Sequence, residues 1–489
     1  MSALDATTLG RHDRWDGVDA TVAGFGASGY AATDNLGFLG ATVTALAESA
    51  TEAQQEQADL MRTLGARVEI GPGATEVLPD PCDVLVVSPG FRPDSPLVRQ
   101  AEERGVPIWS EPELAWRLRD TERPAPWLAV TGTNGKTTTV QMLESILRAA
   151  GLRTVAAGNV GLPLTEAVMD PAAYDVLAVE LSSFQLHFAD TLAAESAAVL
   201  NLAEDHVDWH GSFDAYAADK GRIYEQVWNA CVYNAMDHRT EELVREADVV
   251  EGARAVGFTL EVPQVGMLGV VEDILVDRAF VEERATSAAE LCTIADLASP
   301  APHFVQNALA AAALARAHGI SQSAVREGLR AFRPDGHRIE LVASGDGIDW
   351  IDDSKATNPH AAAASLAAYE QVVWVAGGLA KGARFEELVQ RARQSLRAVV
   401  LIGRDRAVIA EALERHAPDV PVIEVDAGET GTVDGAGLMA RVVGAAAEVA
   451  RTGDTVLLAP GCASMDQFAD YKARGDAFAA AVRAAIARQ

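Results

Sequence analysis

Apolar runs alternate with amphipathic stretches along the first part of the chain. Strand-like runs lie at residues 20–26, 41–48, 66–71, 83–90 and 106–110, and helix-like spacing separates several of them. Strands that are apolar on both faces and alternate with helices are typical of a mostly parallel sheet covered on both sides. We therefore predict an α/β domain over residues 1–121, followed by a polar linker at 119–126.

The same alternation starts again at the strand 127–130. A predicted helix follows, with Val140, Leu143 and Leu147 on one face and an end near Gly151. Further elements are the strands 175–180 and 197–202 and an alanine-rich helix at 307–318. The pattern weakens between residues 236 and 300, which we interpret as a peripheral lobe with short strands. The second predicted domain spans residues 122–336.

A third α/β unit is predicted over residues 337–489. Its strand-like runs lie at 348–354, 372–378, 398–403, 421–426 and 454–461, again with helices between them. The predicted fold is therefore α/β, with three consecutive domains.

Composition excludes several classes of function. The 489 residues carry a formal net charge of -30, which argues against nonspecific binding to nucleic acid. No run reaches the roughly 18 apolar residues that a membrane span needs, and the N-terminus lacks the layout of a secretory signal. The four cysteines lie far apart, with no pairing typical of zinc sites. We expect a cytoplasmic protein that binds neither nucleic acid nor membrane, and we expect a monomer.

Lysine is scarce and concentrated in motifs. Of the 40 basic residues only five are lysine: Lys136, Lys220, Lys355, Lys381 and Lys472. A bias toward arginine explains the scarcity but not the positions. Lysine can lose its proton, react covalently or act as a compact charge, which arginine cannot do.

The segment TGTNGKTTT (131–139) lies between a predicted strand and a predicted helix. Successive backbone N–H groups of a glycine-rich turn, together with a helix N-terminus, form a site for phosphate. Lys136 would reach the β and γ phosphates, and the Thr137 hydroxyl suits Mg²⁺. The usual motif has glycine six residues before the lysine, where this chain has Val130. The alternative is an ordinary glycine- and threonine-rich turn with a solvated lysine.

Several further segments resemble the Mur ligase superfamily in their order along the chain. They are AGNVG (157–161), ELSSFQL (180–186), NLAEDHVDWHG (201–211), YAADKGRIYE (216–225), DGHRIE (335–340), DDSKATNP (352–359) and GCASMDQF (461–468). ELSSFQL together with DSKATN resembles the D-glutamate-adding branch. The resemblance implies a Rossmann-like first domain, a P-loop ATPase-like central domain and a Rossmann-like third domain.

The resemblance also implies an activity in peptidoglycan precursor synthesis, and hence in cell shape and division. ATP would phosphorylate the carboxylate of UDP-N-acetylmuramoyl-L-alanine, and the amine of D-glutamate would attack the acyl phosphate. Phosphoryl transfer between two anions depends mainly on positioning and on charge neutralisation.

Four residues are implied as catalytic: Lys136, Glu180, His206 and Lys220. Contacts to two Mg²⁺ ions are implied for Thr137, Glu180, His206 and Lys220. Lys220 would act as a carbamate formed with CO₂. Imidazole is an unusual ligand for Mg²⁺, so the assignment of His206 as a metal ligand depends on the resemblance.

The resemblance implies three sets of binding residues. The ATP set is Gly132, Thr133, Asn134, Gly135, Lys136, Thr137, Thr138, Asn307, Arg338 and Asp353. The set for the UDP substrate is Ala27, Ser28, Gly90, Asn159, Ser182 and Gln185. The D-glutamate set is Lys355, Thr357, Lys381, Ser464, Met465 and Tyr471. Leu379 and Ala380 stand where the family leads us to expect an acidic residue.

Two alternatives remain open from the sequence. One is another member of the same superfamily, such as a folylpolyglutamate synthase. The other is an NAD-binding oxidoreductase or a nucleotide sensor built on AGFGASG (23–29), a G-x-G-x-x-G match with Glu48 roughly 20 residues on. The second alternative has no use for TGTNGKTTT, and a UDP pyrophosphate would fit the same glycine turn.

Overall fold

A computed structural model describes residues 5–334, 336–425 and 435–487. Asp335 of the DGHRIE segment and Asp426, the last residue of the predicted strand 421–426, lie outside the described residues. The chain forms two compact units, Met1–Phe332 and Arg333–Gln489. The first unit contains two β-sheets and the second contains one. The boundaries near residues 121 and 336 stay predictions.

The first sheet is formed entirely by parallel strands, as the apolar runs predict. Its strands are β1 (Asp19–Ala23), β2 (Thr42–Ala47), β3 (Arg67–Ile70), β4 (Val84–Val87) and β5 (Ile108–Ser110), in the order β3-β2-β1-β4-β5. Its helices are α1 (Ala27–Phe38), α2 (Glu52–Thr63), α3 (Pro96–Arg104) and α4 (Glu111–Leu118). The strand order changes direction between β1 and β4, where ligands of such sheets usually bind.

The second sheet has nine strands. They are β6 (Trp127–Thr131), β7 (Thr154–Gly158), β8 (Val176–Glu180), β9 (Ser196–Val199), β10 (Ala230–Asn234), β11 (Arg254–Phe258), β12 (Met267–Val271), β13 (Ile274–Asp277) and β14 (Ala289–Thr293). The order is β14-β13-β12-β11-β10-β9-β6-β8-β7. In this order, every neighbouring pair from β12 to β7 is parallel. The pairs β12–β13 and β13–β14 are antiparallel.

The interpretation of residues 236–300 as a peripheral lobe is wrong. Short strands occur there as expected, but β11 pairs with β10 and β12 pairs with β11, so the segment extends the central sheet. Leu268, Leu275 and Leu291 are fully buried in the same apolar core as the strand β6. Backbone pairing between distant segments, which local pattern does not report, determines this arrangement.

Eight helices accompany this sheet in the described part of the chain. They are α5 (Lys136–Ala149), α6 (Leu164–Met169), α7 (Ser183–His187), α8 (Val207–His210), α9 (Phe213–Gly221), α10 (His238–Glu246), α11 (Pro302–Ala317) and α12 (Gln322–Ala331). Val140, Leu143 and Leu147 of α5 are fully buried, as predicted. The core therefore fixes α5, and with it the loop that precedes the helix.

The second unit contains a six-stranded sheet. Its strands are β15 (Glu340–Gly345), β16 (Ile348–Asp352), β17 (Val372–Gly377), β18 (Leu396–Ile402), β19 (Val422–Glu424) and β20 (Thr455–Leu458), in the order β15-β16-β20-β17-β18-β19. Only the edge strand β15 is antiparallel among the described pairs. The helices are α13 (Pro359–Leu366), α14 (Glu386–Ala392), α15 (Arg406–His416), α16 (Gly435–Val449) and α17 (Tyr471–Ile486). The α/β fold class is thus confirmed in all three sheets.

Within the described ranges, no helix combines the length and the apolar character that crossing a bilayer requires.

Candidate functional site

The loop 132–135, which we call the phosphate loop, connects β6 to α5. Gly132 has φ +151° and Gly135 has φ +85°, conformations that side chains other than glycine rarely adopt. A Cβ on Gly135 would overlap the Asn307 side-chain amide, with Cγ at 3.1 Å and Nδ2 at 3.2 Å. Asn307, a member of the predicted ATP set, thus packs directly on this loop.

Hydrogen bonds fix the rest of the phosphate loop. The Asn134 backbone N–H donates to Asn201 Oδ1 at 2.9 Å, and the Thr133 hydroxyl lies 2.9 Å from the Tyr216 hydroxyl. Lys136 Nζ donates to the carbonyl oxygens of Gly132 and Thr133, both at 2.9 Å. Its ammonium therefore lies over the loop, at the N-terminus of α5.

Thr137 and Thr138 continue the motif in the first turn of α5. Both side chains are buried. Their position, directly after the loop lysine, is the one that the sequence motif predicts.

Lys220 reaches the same loop from α9. Its side chain is only 2% exposed, and Nζ donates to the Gly132 carbonyl at 2.9 Å. Nζ also lies 4.7 Å from the centre of the Tyr216 ring. Burial first, and the charge of Lys136 second, lower the pKa of Lys220 well below its ordinary value. Burial therefore disfavours the charged form of Lys220 at this position.

Glu180 ends the buried strand β8. Its Oε1 atom accepts a hydrogen bond from Asn159 Nδ2 at 2.9 Å. Its Oε2 atom is buried and has no hydrogen-bond partner among the described residues. A buried carboxylate oxygen without a hydrogen-bond partner is usually satisfied by a cation or a water molecule.

Ser182 and Gln185 form a capping box at the N-terminus of α7. The Gln185 backbone N–H donates to Ser182 Oγ at 3.2 Å, and the Ser182 backbone N–H donates to Gln185 Oε1 at 2.9 Å. This reciprocal cap fixes the turn after β8. Both residues were predicted to contact the UDP substrate.

His206 adopts a left-handed backbone conformation with φ 53° before α8. Its ring packs edge-on against Phe184, with centroids 4.7 Å apart, and its Nε2 atom lies 3.7 Å from Asp205 Oδ1. About a third of the side chain is exposed, so a ligand can reach the imidazole.

These elements enclose one cavity of about 290 Å³, which we call the loop cavity. Its lining includes seven predicted residues: Gly90, Thr133, Lys136, Asn159, Ser182, His206 and Lys220. Five further lining residues had no predicted role: Pro89, Ser183, Phe184, Asp205 and Tyr216. Four of these five lie within or beside the quoted motifs, but the sequence could not tell which side chains face the cavity.

A hydrogen-bonded chain that the sequence analysis missed lies behind the loop cavity. Asp219, the residue before Lys220, has Oδ2 at 2.7 Å from His210 Nδ1 and at 2.9 Å from His187 Nδ1. His210 Nε2 lies 3.0 Å from Ser183 Oγ. Burial acts to raise the pKa of Asp219, but hydrogen bonds from the two histidines outweigh it and lower the pKa. The Asp219 carboxylate is therefore ionised.

The glycine turn of the first sheet has a close approach between strand and helix. Gly24 has φ +94°, and a Cβ on Gly29 would overlap the Gly24 carbonyl oxygen. Ala27 and Ser28 begin α1 and offer the N–H groups of its first turn. Glu48 instead receives hydrogen bonds from the backbone of Gly73 and Thr75. The Glu48 carboxylate is therefore already engaged by the protein, which does not favour the dinucleotide alternative.

The second unit collects the residues predicted to bind D-glutamate near the ends of its strands. Lys355 Nζ lies 4.0 Å from the centre of the Tyr471 ring, a cation–π contact. Arg474, which is 1% exposed, donates to Ser354 Oγ at 2.9 Å and to the Cys462 carbonyl at 3.0 Å. The buried guanidinium thereby ties the DSKATN segment to the GCASMDQF segment.

Asp353 is buried next to Arg338. Burial raises the pKa of Asp353 to about 6, although a hydrogen bond from Ser365 and the charge of Arg338 oppose this. Both residues were predicted to contact ATP.

The remaining predicted D-glutamate residues differ in exposure. Lys381 is exposed and left-handed, with φ 51°, and Met465 is 63% exposed. Ser464 is buried, and Thr357 is partly buried before α13.

An acidic side chain does lie beside Leu379 and Ala380, although neither position is acidic. Asp405 Oδ2 accepts a hydrogen bond from the Ala380 backbone N–H at 2.8 Å. Asp405 comes from the turn after β18 and was not identified from the sequence.

A mostly parallel sheet with a glycine-rich loop, and a lysine at the following helix N-terminus, is typical of P-loop nucleotide-binding proteins. Residues 130–315 match the family model of the Mur ligase middle domain, and residues 337–462 match that of the Mur ligase glutamate ligase domain. The chain belongs to the Mur ligase family.

The chain is similar over nearly its full length to curated members of this family. It is 61% identical to the UDP-N-acetylmuramoylalanine–D-glutamate ligase of Streptomyces avermitilis, over 96% of this chain and 98% of the relative. Identity to the ligase of the same name from Streptomyces coelicolor is 59%, with the same coverage.

Among solved structures, the fold is similar to the UDP-N-acetylmuramate–alanine ligase of Thermotoga maritima. The TM-score is 0.55 at 19% identity, over 96% of this chain and 99% of that one. This likeness concerns the fold.

Proposed function

We propose that this chain is an ATP-dependent ligase that joins D-glutamate to UDP-N-acetylmuramoyl-L-alanine through an acyl phosphate. One observation carries the proposal: two lysines, Lys136 and Lys220, converge on the Gly132 carbonyl in a cavity beside the buried Glu180 carboxylate. The identity to ligases of that name, over almost the whole chain, supports the substrates.

The phosphate loop supplies the site for ATP. Its glycine conformations allow backbone N–H groups to face a phosphate chain, and the N-terminus of α5 adds partial positive charge. Lys136 neutralises the transferring phosphoryl group. Asn307 packs on the loop, in a position that supports its proposed contact with the nucleotide. In the second unit, Arg338 and Asp353 complete the proposed ATP set.

The Glu180 carboxylate suits Mg²⁺. The unpartnered Oε2 atom of Glu180 is a hard anionic ligand, and the Thr137 hydroxyl and the partly exposed His206 imidazole are the other proposed contacts. Two Mg²⁺ ions would supply charge neutralisation between the two anionic reactants.

Lys220 is proposed to carry a carbamate. Its lowered pKa favours the neutral amine, which is the form that reacts with CO₂. An N–C bond forms and one proton is released, so the buried neutral amine becomes an anionic carbamate. The modification would add an oxygen ligand next to Lys136 and the phosphate loop.

The cavity also supports the proposed site for the UDP substrate. Gly90, Asn159 and Ser182 line it, and the Gln185 cap holds the turn that carries Ser182. The first turn of α1, with Ala27 and Ser28, would take the pyrophosphate.

The proposed D-glutamate residues lie in the second unit. Lys355 would pair with a carboxylate of the amino acid, and Tyr471, which packs against Lys355, would hold that ammonium in place. Thr357, Lys381, Ser464 and Met465 complete the proposed set. A cytoplasmic location and a monomeric state belong to the same proposal.

ADP release tests this function. The purified chain is given Mg²⁺, ATP and UDP-N-acetylmuramoyl-L-alanine, with D-glutamate, L-glutamate or meso-diaminopimelate as the amino acid. We expect ADP release with D-glutamate only, and loss of release in Lys136→Ala. Preference for another amino acid would indicate a different branch of the family, and undiminished activity of Lys136→Ala would exclude the proposed role of the loop.

A further inference from the structure

Asn201 follows strand β9 and contacts the phosphate loop with both polar atoms of its side chain. Its Oδ1 atom accepts a hydrogen bond from the Asn134 backbone N–H at 2.9 Å, and its Nδ2 atom donates to the Asn134 carbonyl at 3.1 Å. The Asn201 backbone carbonyl accepts from the Thr133 N–H at 3.0 Å. Two consecutive loop residues are therefore joined to one asparagine by three hydrogen bonds.

The peptide groups of the phosphate loop are divided between two residues. Asn201 accepts from the N–H groups of Thr133 and Asn134, so these groups face Asn201 rather than a ligand. Lys136 Nζ donates to the carbonyls of Gly132 and Thr133. The first N–H groups of a helix have no acceptor within the helix, so the first turn of α5 is the part of the motif that offers N–H groups to phosphates.

Nucleotide binding would affect these two sets of contacts differently. Lys136 is proposed to neutralise the transferring phosphoryl group, and each hydrogen bond from its ammonium to phosphate competes with its bonds to the loop carbonyls. The bonds to Asn201 use backbone groups that already face away from the phosphates. Asn201 can therefore keep the loop in its conformation while Lys136 contacts the nucleotide.

We propose that Asn201 is a positioning residue for the nucleotide, which holds the Asn134 backbone in the orientation that directs the first turn of α5 at the phosphates. The inference rests on the proposed function, because it concerns the same phosphate loop. Asn201 has no proposed contact with ATP, so its effect would act through the loop alone. A loop that is already ordered before binding avoids the entropic cost of being ordered by the ligand.

A contact that only stabilises the fold is the competing explanation, and Asn234 offers a matched control for it. Asn234 Oδ1 accepts from the Met236 backbone N–H, and its Nδ2 atom donates to the Leu200 carbonyl, both at 3.0 Å. One accepted and one donated bond to backbone groups is the same side-chain set that Asn201 has. These two bonds end on Met236 and Leu200, not on the phosphate loop.

The test measures nucleotide binding and stability of the full-length chain separately. Calorimetric titration with ATP and Mg²⁺ gives Kd for the wild type, Asn201→Ala, Asn201→Ser and the control Asn234→Ala. Thermal unfolding gives Tm and shows which variants are folded. Initial rates give KM for ATP and for UDP-N-acetylmuramoyl-L-alanine.

We expect Asn201→Ala and Asn201→Ser to raise Kd and KM for ATP by about tenfold, since two hydrogen bonds that order the loop are lost. The KM for the UDP substrate should stay within about twofold of the wild type. Asn234 is only 4% exposed, so Asn234→Ala should lower Tm at least as much as Asn201→Ala. Its Kd for ATP should nevertheless stay within about twofold of the wild type.

Amide hydrogen exchange adds a measurement that needs neither a folded variant nor catalysis. In ¹⁵N-asparagine-labelled wild-type protein without nucleotide, the Asn134 N–H should exchange slowly, because it donates to Asn201 Oδ1. The exchange should stay slow when ATP is added, because the phosphates do not take over this N–H group.

Three results would overturn the inference. The first is a Kd for ATP in folded Asn201→Ala or Asn201→Ser equal to that of the wild type. The second is an equal rise of Kd in Asn234→Ala, and the third is an Asn134 N–H that exchanges freely in the nucleotide-free wild type. A wild-type chain that binds no ATP, but whose Asn134 N–H is protected, would instead refute the proposed function.

Discussion

The substitution Gly135→Ala tests whether the phosphate loop is built as described. Gly135 has φ +85°, and an added Cβ would overlap the Asn307 side-chain amide. The loop would have to change its backbone, displace Asn307, or both. Either change alters the N–H groups that we propose to bind phosphate.

The expected cost has two parts. A left-handed conformation costs an alanine about 1–2 kcal/mol. Forcing a methyl group against a packed neighbour adds about 1–3 kcal/mol. The free energy of unfolding should therefore fall by about 2–5 kcal/mol, and the affinity for ATP should fall by about tenfold or more as the loop N–H groups lose their common alignment.

Gly151→Ala is the matched control, at the other end of α5. Gly151 has φ +83°, nearly the same as Gly135, but an added Cβ would meet nothing within 4 Å. This variant should lose only the conformational part, about 1–2 kcal/mol, and should keep its affinity for ATP. Denaturant unfolding and calorimetric titration with ATP measure both quantities.

A double-mutant cycle with Asn307→Ala isolates the steric part. Removing the Asn307 amide should make the Gly135→Ala change less destabilising by about 1–3 kcal/mol. Equal losses of stability and of ATP affinity in Gly135→Ala and Gly151→Ala would refute this reasoning, as would a coupling energy of zero.

Three further substitutions have defined outcomes. Lys220→Met should lower kcat by about 100-fold or more, and its Tm should equal or exceed that of the wild type, because it removes a buried amine that favours the neutral form. Glu180→Gln should raise the Mg²⁺ concentration for half-maximal activity by about tenfold, since the unpartnered Oε2 loses its charge. Burial raises the pKa of Glu111 from 4.5 to about 7. The protonated carboxyl therefore stabilises the fold fully below pH 4.5, and this stabilisation is lost as the pH rises through 7. The free energy of unfolding should fall by about 3 kcal/mol over that range. Unfolding of Glu111→Gln measured between pH 4.5 and 8 should lack that decline.

Much of the fold could be predicted from the sequence because its strands are short, apolar and separated by helices. The runs at 127–130 and 175–180 became β6 and β8 with ends shifted by one residue or less. Three strands were missed, namely β7, β10 (Ala230–Asn234) and β15. β7 (Thr154–Gly158) follows a helix closely, and the edge strand β15 (Glu340–Gly345) is half exposed and lacks an apolar run.

Pairing between distant segments could not be predicted. The local pattern of β11 to β14 predicts only short strands, and their place in the central sheet depends on hydrogen bonds to β10 and to one another. A local pattern reports a strand's own exposure but not its neighbour.

The site shows the same division. Lys136 and Gly135 could be placed on a loop before a helix, because the glycine pattern has a direct physical reason. The convergence of Lys220 on the Gly132 carbonyl joins residues 88 positions apart, and the Ser183–His210 contact joins residues 27 apart. In the sequence, a rare lysine and two histidines near an aspartate indicate that these residues are functional. The sequence does not indicate which residues they contact in the fold.

The transfer of an oxygen atom tests the central claim most directly. UDP-N-acetylmuramoyl-L-alanine labelled with ¹⁸O in its carboxylate is converted with ATP, Mg²⁺ and D-glutamate, and the phosphate released is analysed by mass spectrometry. If the reaction passes through an acyl phosphate, each released phosphate carries one ¹⁸O atom. The labelled oxygen that bridges carbon and phosphorus stays on phosphorus when the amine displaces the phosphate. Phosphate free of label, released together with the amide product, would contradict the account.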